Sequence, residues 1–420
     1  MIKNTSTSEK KKLRNLFIGM QDLDDLATLL NQCNQLIYKR PDYTISSSSL
    51  AYFIHPKTAK NRYKTFEISK KSGGKRKLHA PSKRLKFILR SLNFLLQCVS
   101  YPHPAANGFV ADKSVVTNAK KHVGKRYVYN IDLKDFFHSF DRNRVKMGLM
   151  YDLGLGKEAE DLAFKIASLC THPFEIDGEL KTVLPQGSPT SPTLTNLLSK
   201  RLDKRLSGLA KRFGATYTRY ADDITFSSDH NIYQLPENEK LNSKGCYDNF
   251  IAELDRIIKV EGLEINPKKT RLQKIGYQQS VTGLSVNEKV NVPPRYVQQL
   301  KMWLYYWERY GYEKATELFR KDYAKDKGHI KKGQPNLNYL FSGKLDYLKM
   351  VKGADDATYK KLNLRFEKLS AKLNPINKVL AAWEKEGIDK AMEVYQQKEK
   401  TNTSNTPKRK NYEIVYRIEL

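Results

Sequence analysis

Residues 215–228 read ATYTRYADDITFSS, in which polar and apolar side chains alternate on both sides of a central Ala221-Asp222. Alternation with a period of two is typical of a half-buried β-strand, so we predict a β-hairpin with Asp222 and Asp223 at its tip. An isolated Asp-Asp pair is most often an ordinary turn. Two adjacent carboxylates nevertheless raise each other's pKa unless cations keep them ionised, so the pair also indicates a metal site.

A third carboxylate is contributed by an earlier segment. Residues 126–132, RYVYNID, are rich in β-forming side chains and end at Asp132, which a sheet could bring beside the hairpin tip. Mg²⁺ prefers one or two carboxylates together with phosphate oxygens, and paired ions about 4 Å apart can activate a hydroxyl and stabilise a leaving group. Asp132, Asp222 and Asp223 are therefore candidate ligands of two divalent cations, and an ordinary turn at the Asp-Asp pair is the alternative.

The chain on the N-terminal side of these carboxylates has two recognisable patterns. Residues 16–56 are predicted to be helical. Residues 63–78 are predicted to form a basic hairpin, because the turn signal at 72–74 lies between the cationic residues 70–71 and 75–77. This hairpin would expose a cluster of positive charges.

The remaining chain is predicted to be mostly helical. Ser191 is expected to cap, and Pro192 to begin, one amphipathic helix that ends at Gly214 and packs on the sheet. We then predict a helix over residues 247–262, a strand-like stretch over 280–292 and largely helical chain from 294 onward, with a polar tail at 398–410.

Charge and composition limit the classes of function. The 420 residues include 75 Lys and Arg against 45 Asp and Glu, a formal net charge of +30 that suits a polyanionic partner such as nucleic acid. No apolar run is long enough for a membrane span, so no membrane partner and a cytoplasmic location are expected. The four cysteines are far apart and include no C-x-x-C pair, which disfavours a zinc knuckle or a disulfide framework.

Four motifs, in order, closely resemble the palm motifs of the reverse transcriptase family: IDLKDFFHSF from Ile131, LPQGSPTSP from Leu184, YADD from Tyr220 and EGLEINPKKT from Glu261. The resemblance implies an α+β, right-hand polymerase fold with fingers, a palm made of an antiparallel sheet packed on helices, and a helical thumb. The boundaries it implies are 1–57 for an N-terminal helical extension, 58–125 for fingers, 126–279 for the palm (with fingers elements at 141–185), 280–375 for the primer grip and helical thumb, and 376–420 for a C-terminal helix and basic tail.

The same resemblance implies that Asp132, Asp222 and Asp223 are catalytic and bind two Mg²⁺ ions, for which Mn²⁺ could substitute. It also implies several nucleotide-binding residues. Phe137 matches the bulky residue beneath the incoming sugar, where a ring would exclude a 2′-hydroxyl. Gln186 and Gly187 match a turn that contacts template and nucleotide. Arg76, with Lys75 and less directly Lys77, matches the cations that neutralise the triphosphate, and Lys269 matches a lysine near that group.

Two shorter motifs resemble signatures of retron reverse transcriptases. Residues 118–122 fit N-A-x-x-H through Asn118 and His122, and Val281, Thr282 and Gly283 fit V-T-G. The resemblance implies that both contact RNA or primer. For Asn118 and His122 the alternative is a capped turn with a buried, hydrogen-bonded histidine.

The resemblance finally implies a function. The chain would be an RNA-directed DNA polymerase that binds a cognate structured non-coding RNA and copies part of it, with deoxynucleoside triphosphates, into single-stranded DNA. The product would be an msDNA-type RNA–DNA hybrid primed from an RNA 2′-hydroxyl, made for antiphage defence with an effector protein as a further partner. The alternatives are another prokaryotic reverse transcriptase, such as a group II intron enzyme or one from a different defence system, and a non-catalytic RNA-binding protein on a polymerase fold.

Overall fold

The structure is a computed structural model that describes residues 5–38, 43–56, 59, 61–69, 74–176, 178–234, 241, 245–327, 335–373, 383, 387–390 and 392–393. The chain divides into two compact units, Met1–Val290 and Asn291–Leu420. The predicted polar tail at 398–410 lies outside the described residues, as does most of the predicted turn at 72–74.

The first unit begins with helices and a hairpin, as predicted. The elements are α1 (Thr7–Ile18), α2 (Leu23–Tyr38), α3 (Ser47–Ile54), β1 (Tyr63–Ser69), β2 (Lys75–Pro81) and α4 (Lys83–Val99). Helix α1 starts at a capping box in which Ser6 and Glu9 each accept a hydrogen bond from the other's backbone N–H. Strands β1 and β2 pair antiparallel over their full lengths, which confirms the predicted basic hairpin.

The rest of the first unit alternates strands and helices. Its elements are α5 (Val115–Lys120), β3 (Tyr127–Asp132), α6 (Arg142–Tyr151), a 3-10 turn (Lys157–Ala159), α7 (Glu160–Cys170), β4 (His172–Ile176), β5 (Glu179–Val183), α8 (Ser191–Leu198), α9 (Lys200–Arg212), β6 (Thr216–Tyr220), β7 (Asp223–Ser228), α10 (Phe250–Val260), β8 (Arg271–Lys274), β9 (Ser280–Val281) and β10 (Leu284–Ser285). Strands β6, β7, β3 and β8 form, in that order, one antiparallel sheet. The fold is α+β, as predicted.

One predicted helix is in fact two. The chain breaks at Ser199 (φ −88°, ψ 3°) between α8 and α9. Ser191 does not cap α8, because the N-cap is Thr190 and the Ser191 hydroxyl donates to the carbonyl of Pro185 at 2.8 Å. The apolar stripe that runs through both helices is buried all the same, with Leu202 and Leu206 fully inaccessible. Burial of the stripe therefore does not require a continuous helix.

The second unit is helical, as predicted. It contains α11 (Pro294–Lys327), α12 (Leu337–Lys352) and α13 (Ala357–Ala371). Helix α11 is interrupted at Gly311, whose φ of 78° and ψ of 171° suit glycine alone. Trp303 is buried and packs edge-on against Phe319 at a ring-centroid distance of 5.0 Å, which anchors the two halves of α11 to each other.

The cysteines occupy two kinds of environment. Cys33, Cys98 and Cys170 are buried, whereas Cys246 is partly exposed, and none forms a disulfide. Burial raises the pKa of Cys33 and Cys170 to about 12 and that of Cys98 to about 11. Among the helices of the described residues, none combines the length and apolar character needed to span a membrane.

Candidate active site

The predicted hairpin forms at one end of the sheet. Strands β6 and β7 pair so that Tyr220 lies opposite Asp223, which leaves a two-residue loop of Ala221 and Asp222. Ala221 has φ 59°, while Asp222 does not have a positive φ, a combination typical of a type II′ turn. Type II′ turns favour glycine at the first loop position, so alanine there is strained and must be held by its surroundings.

Asp132 lies beside this turn. In the antiparallel ladder of β3 and β7, Asp132 is directly opposite Asp223, which puts both side chains on the same face with Cα atoms about 5 Å apart. The N–H of Leu133 donates to the carbonyl of Asp222 at 3.1 Å. The backbone therefore brings together three acidic residues that are 91 positions apart in the chain at their extremes.

Two side chains from the fourth motif bind the Asp132 carboxylate. Lys269 Nζ lies 2.8 Å from Oδ2, and Asn266 Nδ2 donates to Oδ1 at 3.1 Å. The backbone N–H of Asn266 also donates to the Asp132 carbonyl at 2.8 Å. Lys269 therefore lies beside Asp132, and Asn266 is a contact that the sequence analysis missed although it lies within the quoted motif.

A buried carboxylate anchors this fourth motif. Glu261 is 2% exposed and forms ion pairs with Arg201 and Arg205, each at 2.9 Å, and with Arg144 at 3.7 Å. Three cations from two helices thus fix the start of the segment that carries Asn266. The position of the Asp132 partners depends on this network.

The two aspartates of the turn have raised pKa values. Burial is the main cause for both, and the neighbouring acidic charges add to it, so that the pKa of Asp223 rises to about 7. The charge of Lys269 opposes the shift in both cases, and Arg76 opposes it at Asp222. Positive charge at this site would therefore stabilise the ionised carboxylates.

The donor set fits a hard divalent cation in its chemistry, because it consists of carboxylates whose mutual repulsion a cation would remove. Among the described residues, however, no three His, Cys, Asp or Glu side chains are grouped closely enough to enclose a metal ion. Each oxygen of the Asp132 carboxylate is bound by one side chain, Oδ2 by Lys269 and Oδ1 by Asn266.

The fingers cations differ in their surroundings. Arg76 is half-buried on β2, and its charge opposes the rise in the pKa of Asp222. Lys75 instead forms an exposed ion pair with Glu67 across the hairpin at 2.9 Å. Lys77 is exposed. The three predicted cations therefore differ in burial and, for Lys75, in having an acidic partner on the hairpin itself.

Gln186 and Gly187 lie against the same hairpin. The carbonyl of Gln186 accepts a hydrogen bond from the N–H of His79 at 2.9 Å. Gly187 has φ 121°, and a Cβ at this position would be 2.7 Å from the carbonyl oxygen of His79. Only glycine allows this close approach, so the turn is fitted to the strand that carries Arg76.

Phe137 is half-buried and has an aromatic neighbour that the sequence analysis missed. The ring centroid of Phe109 lies 6.5 Å from that of Phe137. Phe109 has φ 59°, a strained conformation for a bulky residue, and such strain is concentrated at functional sites. No pattern in the sequence around Phe109 would have identified it.

Asn118 and His122 are buried, at 1% and 0% exposure. The two ring nitrogens of His122 lie 2.7 Å from the hydroxyl oxygens of Ser227 and Thr218, on strands β7 and β6. The alternative of a buried, hydrogen-bonded histidine therefore describes His122 as it stands. The resemblance implied that both side chains contact RNA. In this structure neither side chain is accessible for direct contact.

The V-T-G residues form the tight turn between β9 and β10. Val281 is buried, while Thr282 (φ 47°) and Gly283 (φ 80°) make a two-residue loop with positive φ at both positions, as in a type I′ turn. Strands β9 and β10 pack against α5, where the Thr282 hydroxyl lies 3.5 Å from the Val115 carbonyl. The V-T-G turn therefore lies against the helix that carries Asn118.

Comparison with known proteins identifies the family. The reverse transcriptase (RNA-dependent DNA polymerase) family matches residues 68–287, just over half of the chain. Among solved structures, telomerase from Candida albicans in complex with a fragment of telomeric RNA aligns with 82% of this chain and 66% of its own, at 10% identity and a TM-score of 0.39. A structural similarity at this TM-score does not support any inference about function.

Curated relatives are retron enzymes. The retron Mx65 and Mx162 reverse transcriptases of Myxococcus xanthus are 43% and 37% identical over 56% and 61% of this chain, and the matches cover 54% and 55% of those proteins. The chain thus spans about half the length of these two relatives. The retron Ec86 reverse transcriptase of Escherichia coli is 31% identical over 80% of this chain and 89% of its own. The chain belongs to the reverse transcriptase family and, within it, to the retron reverse transcriptases.

Proposed function

We propose that the protein is an RNA-directed DNA polymerase that binds a cognate structured non-coding RNA in the cytoplasm and copies part of it into single-stranded DNA. The observation that carries this proposal is the placement of Asp132 directly opposite Asp223, beside Asp222, at one end of the four-stranded sheet. Three neighbouring carboxylates form the kind of site at which divalent cations and a triphosphate meet.

Each catalytic residue has a specific role in this proposal. Asp132, Asp222 and Asp223 would hold two divalent cations, Mg²⁺ or in substitution Mn²⁺. When bound, the ions would supply activation of the primer hydroxyl and stabilisation of the departing pyrophosphate. Lys269, which is paired with Asp132, would provide a positive charge near the triphosphate.

The remaining nucleotide contacts surround this centre. Arg76 would neutralise the triphosphate, supported by Lys75, and a guanidinium suits that task because of its fixed fork of donors. The turn of Gln186 and Gly187 would contact template and nucleotide. Phe137 would exclude a 2′-hydroxyl from the sugar site. Two observations support these roles. The charge of Arg76 opposes the rise in the pKa of Asp222, and Gly187 packs closely against β2.

RNA and primer recognition are assigned to the assembly of α5 with β9 and β10. Because Asn118 and His122 are buried, they would act through the elements that they pack against rather than by touching RNA. The sequence-based boundaries for fingers, palm and thumb are retained in the proposal. Strands β9 and β10, assigned to the primer grip, belong to the first compact unit.

The proposed product is an RNA–DNA hybrid primed from an internal RNA 2′-hydroxyl, made for antiphage defence with an effector protein. To test this, the protein is expressed with its flanking DNA, and the copurified nucleic acid is treated with debranching enzyme. We expect RNA and DNA that separate only after debranching. RNA alone, with no attached DNA, would contradict a polymerase that primes in this way.

Paired variants test the catalytic assignment. Asp222→Asn and Asp223→Asn should each abolish DNA synthesis, because an amide cannot supply the lost negative charge. Asp229→Asn is the matched control, since Asp229 follows the same strand but pairs with Lys125 in an exposed ion pair at 2.7 Å. Equal activity in all three variants would favour a non-catalytic RNA-binding protein.

A further inference from the structure

A fully buried ion pair lies directly behind the turn of the acidic hairpin. Arg219 on β6 and Asp203 on α9 are both 0% exposed. The guanidinium donates to the carboxylate through two parallel hydrogen bonds, Nε to Oδ1 at 2.8 Å and Nη2 to Oδ2 at 2.7 Å. Tyr217 donates its hydroxyl hydrogen to the same carboxylate at 2.7 Å. Such a fork fixes the orientation of the guanidinium plane.

The third guanidinium nitrogen reaches the strained residue of the turn. Arg219 Nη1 donates to the carbonyl of Ala221 at 3.1 Å, and Ala221 is the residue with φ 59° that immediately precedes Asp222. The aromatic ring of Phe136, four residues after Asp132, lies 6.0 Å from the guanidinium carbon. Arg219 thus contacts both chain segments that supply the acidic residues.

Residues 105–108, in the loop before α5, also contact Arg219 and Ala221. The N–H of Arg219 donates to the carbonyl of Ala105, and the carbonyl of Arg219 accepts from the N–H of Asn107. Gly108 lies so close that a Cβ there would be 2.6 Å from the Ala221 nitrogen. The turn is therefore clamped between Arg219 and the 105–108 loop, which explains how an alanine is kept in a strained conformation.

We propose that Arg219, oriented by Asp203, is a positioning residue that sets the geometry of Asp222 and Asp223 for divalent cations. This inference rests on the proposed function. Because Asp203 neutralises its charge, Arg219 contributes orientation rather than charge at the site. Outer contacts of this kind hold metal-binding side chains in place, and their loss weakens metal affinity by about 10–100-fold.

The central test replaces both members of the pair, since Arg219→Met alone would leave Asp203 buried without its partner. The double variant Arg219→Met/Asp203→Leu replaces both charged side chains with apolar ones, a change that proteins often tolerate. We expect an unfolding midpoint close to that of the original chain. We also expect Mn²⁺, followed by electron paramagnetic resonance, to bind at least about tenfold more weakly, and kcat for DNA synthesis to fall by about 100-fold.

A second pair of variants decides the question if the double variant does not fold. Arg219→Lys keeps the charge but cannot bridge Asp203 and Ala221 with a planar fork. Arg62→Lys is the matched control, because Arg62 is also 0% exposed and its guanidinium donates to the carbonyls of Ser168, Leu169 and Thr171, with no acidic partner in those bonds. Both substitutions should lower the unfolding midpoint, but only Arg219→Lys should weaken Mn²⁺ binding.

The outcomes separate this proposal from the proposed function. Unchanged Mn²⁺ affinity in the Arg219 variants, or the same loss in Arg62→Lys, would show that Arg219 serves packing alone. If the original chain binds Mn²⁺ but does not extend a primer with deoxynucleotides, the proposed polymerase function fails, while the Mn²⁺ comparison still decides the role of Arg219.

Discussion

At the scale of single residues, Phe137 offers a direct test of sugar selection. Replacing Phe137 with valine should increase ribonucleotide incorporation by on the order of tenfold or more, because the smaller side chain leaves room for a 2′-hydroxyl. The measurement is single-nucleotide extension with matched deoxy- and ribonucleotides. Phe164→Val, at a partly exposed position on α7, is the control and should leave the ratio unchanged. Ready use of ribonucleotides by the unaltered chain would refute the assignment.

The buried ring of His122 should make the stability of the chain depend on pH. Burial, with the charges of Lys121 and Lys125, lowers its pKa to about 3, so the folded chain keeps the ring neutral where the unfolded chain, with a pKa near 6.5, takes up a proton. The unfolded state binds more protons below pH 6.5, and the free energy of unfolding therefore falls as the pH falls. Between pH 7.5 and pH 5, protonation of this residue alone should lower the free energy of unfolding by about 2 kcal/mol.

Urea unfolding of the original chain and His122→Gln over that pH range measures this contribution. The variant should be less stable at pH 7.5, because it loses hydrogen bonds to Ser227 and Thr218. The difference between the two proteins should shrink toward pH 5. His79 and His172, whose pKa values are also lowered to about 4 by burial, remain in both proteins, so their effect cancels. Parallel curves would contradict the prediction.

Sequence reasoning found some of the site residues and missed others for a physical reason. The YADD residues and Asp132 were identifiable because strand periodicity puts each at the end of a strand. Asp203 was not, because it lies on an ordinary amphipathic helix and its pairing with Arg219 depends on how α9 packs on the sheet. Phe109 and Asn266 were missed for the same reason, since their contacts are tertiary.

At the scale of elements, the loop that precedes α5 should be intolerant of added volume. Gly108→Ala places a Cβ against the backbone of Ala221, which cannot rotate away, so the turn itself must shift. We expect DNA synthesis to fall by about 100-fold, as displacements of about 1 Å at a reacting centre can cause. Primer extension under saturating nucleotide measures the loss.

Gly208→Ala provides the matched control. Gly208 is exposed within α9, and an added Cβ would meet nothing within 4 Å. Alanine is the better helix former, so this variant should gain up to about 1 kcal/mol in free energy of unfolding and keep its activity. Equal effects of the two substitutions would show that Gly108 does not brace the turn.

Element boundaries were predictable where periodicity was strong. The hairpin of β6 and β7 was predicted correctly, because alternating side chains and a polar pair specify both strands and their turn. The break at Ser199 was missed, since the leucine stripe continues through it and hydrophobic spacing alone does not reveal a local change of backbone. The strand-like stretch 280–292 yielded only two paired residues in each of two strands.

At the scale of the whole molecule, the formal net charge of +30 predicts strongly salt-dependent binding of the proposed RNA partner. Contacts to phosphates release condensed counterions, so a chain with six to ten such contacts should lose roughly 10³–10⁵ in affinity between 50 and 200 mM salt. Filter binding of a structured RNA across this range measures the slope. An affinity independent of salt would show that the positive charge does not face nucleic acid.

The distribution of the cysteines has a practical consequence for labelling the native chain. Thiolates, not thiols, react with maleimides, and the three buried cysteines combine poor access with a pKa of about 11 or 12. Cys246, just before α10, is partly exposed. A fluorophore offered under non-denaturing conditions should therefore attach at Cys246, which would give a spectroscopic reporter without any substitution in the chain.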